Sequence, residues 1–129
     1  MTLKNFLFHP AFVHFPIVFA FSEMGLLLMS GFRQDEIAKK FASWTGRAGY
    51  FSLLPAAISG FMSVGGLNKV DAVTWPHVLA ALALFVWWTL RLCFERFFQE
   101  KASFFILAFS TVTCALVVLT AYRGGALVY

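Results

Sequence analysis

Three histidines, one carboxylate set deep in an apolar stretch and an arginine close to the end of the chain are the residues whose types and spacing admit chemistry. His9 and His14 are separated by about 140° around a helix, so they do not easily converge on one atom. The interval from His14 to Arg33 equals that from His77 to Arg96. At about 1.5 Å of rise per residue, His14 and His77 then lie level, each about 28 Å from the basic end of its helix. Two level imidazoles across a helical core suit a six-coordinate haem, whose iron takes a neutral histidine nitrogen on each side. This spacing predicts His14 and His77 as the metal ligands, with haem b as the cofactor. His9 is then a neighbouring donor or an alternative ligand, and Arg123 a guanidinium partner for a propionate. The plainer alternative is that the three histidines bond to lipid headgroups or to backbone. A zinc or copper site built from all three is a further possibility. No cysteine accompanies them on their membrane face, however, and the one carboxylate there, Asp71, belongs to a loop.

Glu23 is the deep carboxylate. Acids inside membrane spans are costly and usually paired. Arg47 enters the next apolar run from the same side, so the expectation is a structural ion pair between Glu23 and Arg47, with a proton relay as the other reading. Cys93 and Cys114 fall in separate runs with no C-x-x-C or C-x-x-C-H pattern, and read as packing residues.

The elements that must position these groups follow from composition. The chain has 129 residues, 60% hydrophobic and only 12% charged, with 17 phenylalanines and a mean hydropathy of +0.79. A soluble domain is roughly 25% charged; one this apolar could not cover its own surface. A soluble enzyme, a nucleic-acid binder and a disordered tail are excluded, and nothing points to catalysis on a substrate. Spanning about 30 Å of hydrocarbon takes roughly 20 helical residues. Four runs qualify, at about 10–31, 43–64, 76–94 and 103–122, with Pro10 and Pro76 suited to first turns and Pro16 and Pro55 expected to kink their helices. His9, Pro10, His14 and Pro16 interrupt the first run and make it a poor secretory signal, so it is expected to be retained.

Short connections make neighbouring helices antiparallel. The expected fold is an all-α membrane protein, one domain over residues 1–129, forming a four-helix transmembrane bundle of up-down-up-down topology. No convincing internal repeat stands out. Of the ten Lys and Arg, Arg33, Lys39, Lys40, Arg47, Arg91, Arg96 and Lys101 fall on one side and Lys4, Lys69 and Arg123 on the other. That bias places both termini outside the cytoplasm. All three histidines then share the outer end. Small residues line that end too, Ala56, Ala57 and Gly60 on the second helix and Ala80, Ala81 and Ala83 on the third. They either allow close helix packing or leave room for a flat cofactor.

The stretch His9-Pro10-Ala11-Phe12-Val13-His14-Phe15-Pro16, the later His77 and the terminal Gly124-Gly125-Ala126-Leu127-Val128-Tyr129 resemble a bacterial membrane family catalogued as domain of unknown function 2231. Some of its members are fused to Rieske or c-type cytochrome domains. The resemblance implies a multi-pass module of the bacterial inner (cytoplasmic) membrane associated with electron transfer, resembling a b-type cytochrome. Its expected partners are the lipid bilayer and separate redox subunits of the Rieske or c-type cytochrome kind. A haem-free structural or anchoring subunit of a larger membrane complex is the alternative.

Overall fold

The computed structural model describes residues 3–97 and 103–127, which form helices joined by short turns, with no strand among them. The helices are α1 (Leu3–Arg33), α2 (Glu36–Val64), α3 (Trp75–Phe97) and α4 (Ser103–Gly125), with a short 3-10 turn at Leu67–Lys69. Glu100 and Lys101 of the third connection, and Val128 and Tyr129 of the terminal motif, lie outside the described residues.

Local chemistry sets the helix ends, and two of them differ from expectation. α1 begins well upstream of Pro10, so Pro10 and Pro16 both lie inside it. α2 begins at Glu36 because the Asp35 side chain accepts from the Ile37 and Ala38 amides at 2.9 and 3.1 Å, satisfying two donors that a helix start leaves open. Lys39 and Lys40 therefore belong to the first turns of α2 and not to a loop. α2 ends at Gly65, whose φ of 83° is left-handed and whose amide bonds back to Phe61 and Met62; a side chain would resist that conformation. Asp71 caps the entry to α3. Its carboxylate accepts from the Thr74 amide at 2.8 Å, and its carbonyl accepts from the Trp75 amide at 3.0 Å.

Phe8–Arg33, Trp75–Phe97 and Phe104–Gly125 are each long and apolar enough to cross a membrane. α2 has the length, at 29 residues, but Arg47, Ser52, Ser59 and Ser63 dilute its hydropathy. Three helices, not four, therefore carry the full composition of a span. The molecule's outer surface matches that setting. Phe15, Val18 and Phe21 on α1, Leu82, Val86 and Leu90 on α3, and Phe104, Phe105 and Val118 on α4 are all exposed. Faces of this kind are stable against hydrocarbon and not against water.

Contacts run in opposite directions along each packed pair. Along α1 and α2, His9 meets Ser59 while Glu23 meets Gly46. Along α3 and α4, His77 meets Thr120 while Trp87 meets Phe109. α1 also packs on α4, through Ala20 on Cys114 and Glu23 on Ser110. Of the adjacent helices α2 and α3 touch least, and their contacts gather away from the histidines, at Ser43 with Glu95 and at Tyr50 with Phe85 and Thr89.

The core is a cluster of Ala20, Leu84, Trp88, Cys114 and Val117. Trp88 fits because Gly49 has no side chain: a Cβ there would lie 2.6 Å from the indole Cζ2 and 2.9 Å from Phe19 Cβ. Set in register, the two helical hairpins repeat one another. The interval from His9 to Glu23 on α1 equals that from His77 to Arg91 on α3, and the interval from Gly46 to Gly60 on α2 equals that from Ser110 to Gly124 on α4. The repeat escapes a reading of residue identities because only the spacing of inward positions is shared.

Candidate functional site

Two polar clusters interrupt the apolar interior, and each joins α1 to α3. At about 1.5 Å per residue, the interval that separates them along either helix is about 21 Å.

The first is charged. Arg91 donates from one terminal nitrogen to Glu23 and from the other to Glu95, one turn on. Ser110 donates to the second Glu23 oxygen at 3.2 Å, and Ser43 donates to the second Glu95 oxygen. Glu23 and Arg91 are buried at 0% and 1% exposure. All four carboxylate oxygens are thus supplied with donors, which is how a buried ion pair becomes tolerable. Gly46 lies against the Glu23 carboxylate, leaving no room there for a side chain. This corrects the expected partner of Glu23. Arg47 is exposed, with no ion pair among the described residues, because it turns away from the face that Gly46 presents to α1.

The second cluster holds His9 and His77, whose ring centroids lie 6.3 Å apart with planes at 82°. His9 Nδ1 lies 3.0 Å from Ser59 Oγ, whose own proton goes to the Ala56 carbonyl at 2.9 Å. His77 Nδ1 lies 3.0 Å from the Thr120 carbonyl. A carbonyl has no proton to give, so Nδ1 carries the hydrogen on His77; with the Ser59 proton on the Ala56 carbonyl, His9 takes the same form. Each Nε2 then holds a free lone pair, and neither has a partner among the described side chains. Two imidazoles, each braced through Nδ1, thus stand 6.3 Å apart between centroids, and bracing of this kind is what orients histidines that bind metals in other proteins.

His14 does not join them. It is exposed, and its Nδ1 donates to the Pro10 carbonyl of its own helix. The structure thus pairs His77 with His9 and not with His14, because His9 continues the inward line of Pro16, Ala20 and Glu23, whereas His14 falls off that line. Arg123, expected near a propionate, is exposed in the last turn of α4. No group of three or more His, Cys, Asp or Glu side chains gathers among the described residues, so a three-histidine site does not form there. Cys114 is buried and donates to the Ala20 carbonyl, while Cys93 is exposed. The signal that would have found both pairs is the repeated inward spacing, which places His9 with Glu23 and His77 with Arg91.

The family model for domain of unknown function 2231, described as a predicted membrane protein, matches residues 6–129. No curated protein and no solved structure matches the chain. With nearly the whole chain covered, this protein belongs to that membrane protein family.

Proposed function

We propose that this chain is a membrane electron-transfer module that holds haem b between His9 and His77. The observation that carries the reading is the pair of Nε2 lone pairs on rings from two separate helices. Metal–imidazole bonds are about 2.0–2.1 Å, so two imidazoles on opposite sides of one metal have centroids roughly 6 Å apart. The 6.3 Å separation of His9 and His77 suits that arrangement. Two nitrogens do not complete a site for most ions, since zinc takes four ligands. Haem iron arrives with four ring nitrogens of its own and needs two more, which is the number present.

When bound, haem supplies one-electron chemistry at the iron. The rest is the protein's part. Ser59 and the Thr120 carbonyl keep both Nδ1 atoms protonated, so both Nε2 atoms stay available. With His9 and His77 both holding the haem, no site on the iron would be left for oxygen, which would favour electron transfer over oxygen chemistry. Arg123, on the last turn of α4, is a cation available to a propionate at that end.

Four antiparallel helices in an up-down-up-down bundle, with α2 as a less apolar fourth span, accommodate this site near one membrane face. The basic residues favour the cytoplasm at the Arg33–Lys40 side, with both termini on the outer face of a bacterial cytoplasmic membrane. Partners at that face are then separate redox subunits of the Rieske or c-type cytochrome kind.

The test is the reduced-minus-oxidised absorption spectrum of the purified protein, with haem and metal analysis. One haem per chain with a six-coordinate spectrum supports the proposal. A folded protein that contains copper in place of haem, or that takes up neither, overturns it, and in the latter case leaves a structural subunit.

A further inference from the structure

We infer that Gly60 and Gly124 are positioning residues that hold the His9 and His77 ring planes at right angles across the site, an inference that rests on the haem reading above. Each ring is fixed at two points. One is its Nδ1 hydrogen bond, to Ser59 or to the Thr120 carbonyl. The other is the bare backbone of a glycine on the adjacent helix. A Cβ at Gly60 would come within 3.0 Å of His9 Cε1 and 3.4 Å of its Nδ1; a Cβ at Gly124 would come within 2.9 Å of His77 Cε1 and 3.3 Å of its Nδ1. Neither glycine has the left-handed backbone that would itself demand glycine, as Gly65 and Gly66 do. Glycine within a helix costs stability relative to alanine, so a requirement other than backbone conformation accounts for it. Contact with a ring at both equivalent positions supplies one. Alanine would push each ring away about its Cα–Cβ bond and rotate its plane.

The plane matters because each axial imidazole overlaps the iron orbital that lies perpendicular to its own ring. Parallel rings address the same orbital and split it from its partner; perpendicular rings address different orbitals and leave the two nearly equal in energy. The hydrogen bond and the packing around an axial ligand are the protein's means of choosing between these arrangements. The 82° angle between His9 and His77 selects the perpendicular one.

Electron paramagnetic resonance of the oxidised, haem-loaded protein reads this angle directly. Perpendicular ligands give a single strongly shifted low-spin line, whereas near-parallel ligands give three resolved lines. The wild type is expected to show the single line. Gly60→Ala and Gly124→Ala are each expected to keep haem and move towards the three-line pattern. If either alanine variant retains no haem, Ser59→Ala carries the test, because it releases the His9 ring without adding bulk, and the same move is expected. A haem-loaded wild type with three lines, or variants whose spectrum matches the wild type, overturns this inference alone. Absence of haem from the wild type overturns it together with the haem reading.

Discussion

The two cross-helix pairs that α1 and α3 build at opposite ends of the core differ in what they leave unsatisfied. At Glu23 and Arg91, every carboxylate oxygen of Glu23 and Glu95 receives a donor from within the protein. At His9 and His77, each ring spends its one proton on a neighbour and keeps a lone pair that no described side chain answers. The pairs occupy equivalent positions on the same two helices, so the contrast lies in chemistry and not in fold. A charge network in which every carboxylate oxygen is answered, with the buried Arg91 Nε left over, is a lock between hairpins; the open pair of acceptors is what the proposed haem would engage.

Breaking the lock should have the largest effect. Arg91→Met strands a buried Glu23 carboxylate and should cost about 3–5 kcal/mol, whereas replacing Glu23 and Arg91 together by apolar residues should cost far less. Thermal unfolding in detergent, compared across both single variants and the double variant, measures the coupling; additive effects would mean that the pair does not act as a unit. Arg47→Gln in the same assay should stay within about 0.5 kcal/mol, as an exposed substitution does. Next in size is Gly49→Ala, which sits between the two clusters and forces a methyl against Trp88 and Phe19. It should cost about 1–3 kcal/mol by overpacking. An unchanged melting temperature would show that Trp88 has room to move.

The smallest effect belongs to Asp71, outside both clusters. The hydrogen bond from the Thr74 side chain, helped by the Thr74 amide, holds its carboxyl below the ordinary value of 3.8. A lowered carboxylate stabilises the fold above its ordinary value, and that contribution is lost as pH falls through the lowered one. Asp71→Asn should therefore flatten the acid limb of a stability-versus-pH curve, with no pH-dependent difference from the wild type above about pH 5. An acid limb identical to that of the wild type would remove Asp71 from this role.

Much of the fold is legible in the sequence: four long helices, an apolar outer surface and a polar connection between each pair. Helix ends are less so, since Lys39 and Lys40 look like loop residues until Asp35 is recognised as the cap that starts α2 earlier. At the site, the three histidines and the unusual acid stand out by type, but their partners do not. Depth counted from Arg33 and Arg96 pairs His14 with His77, because flexible basic residues at helix ends are poor rulers. The inward line shared by His9, Pro16, Ala20 and Glu23, repeated by His77, Leu84, Trp88 and Arg91, is the better measure. It selects His9 and Arg91 together, since a helix facing its core at one level faces it again at regular intervals.

The most direct test of the central claim sets the three histidines against one another in a single measurement, the haem difference spectrum per mole of folded protein. His9→Ala and His77→Ala should each abolish the six-coordinate signal, while His14→Ala should keep it at the wild-type level. A signal that is lost in His14→Ala and survives in His9→Ala would contradict the account.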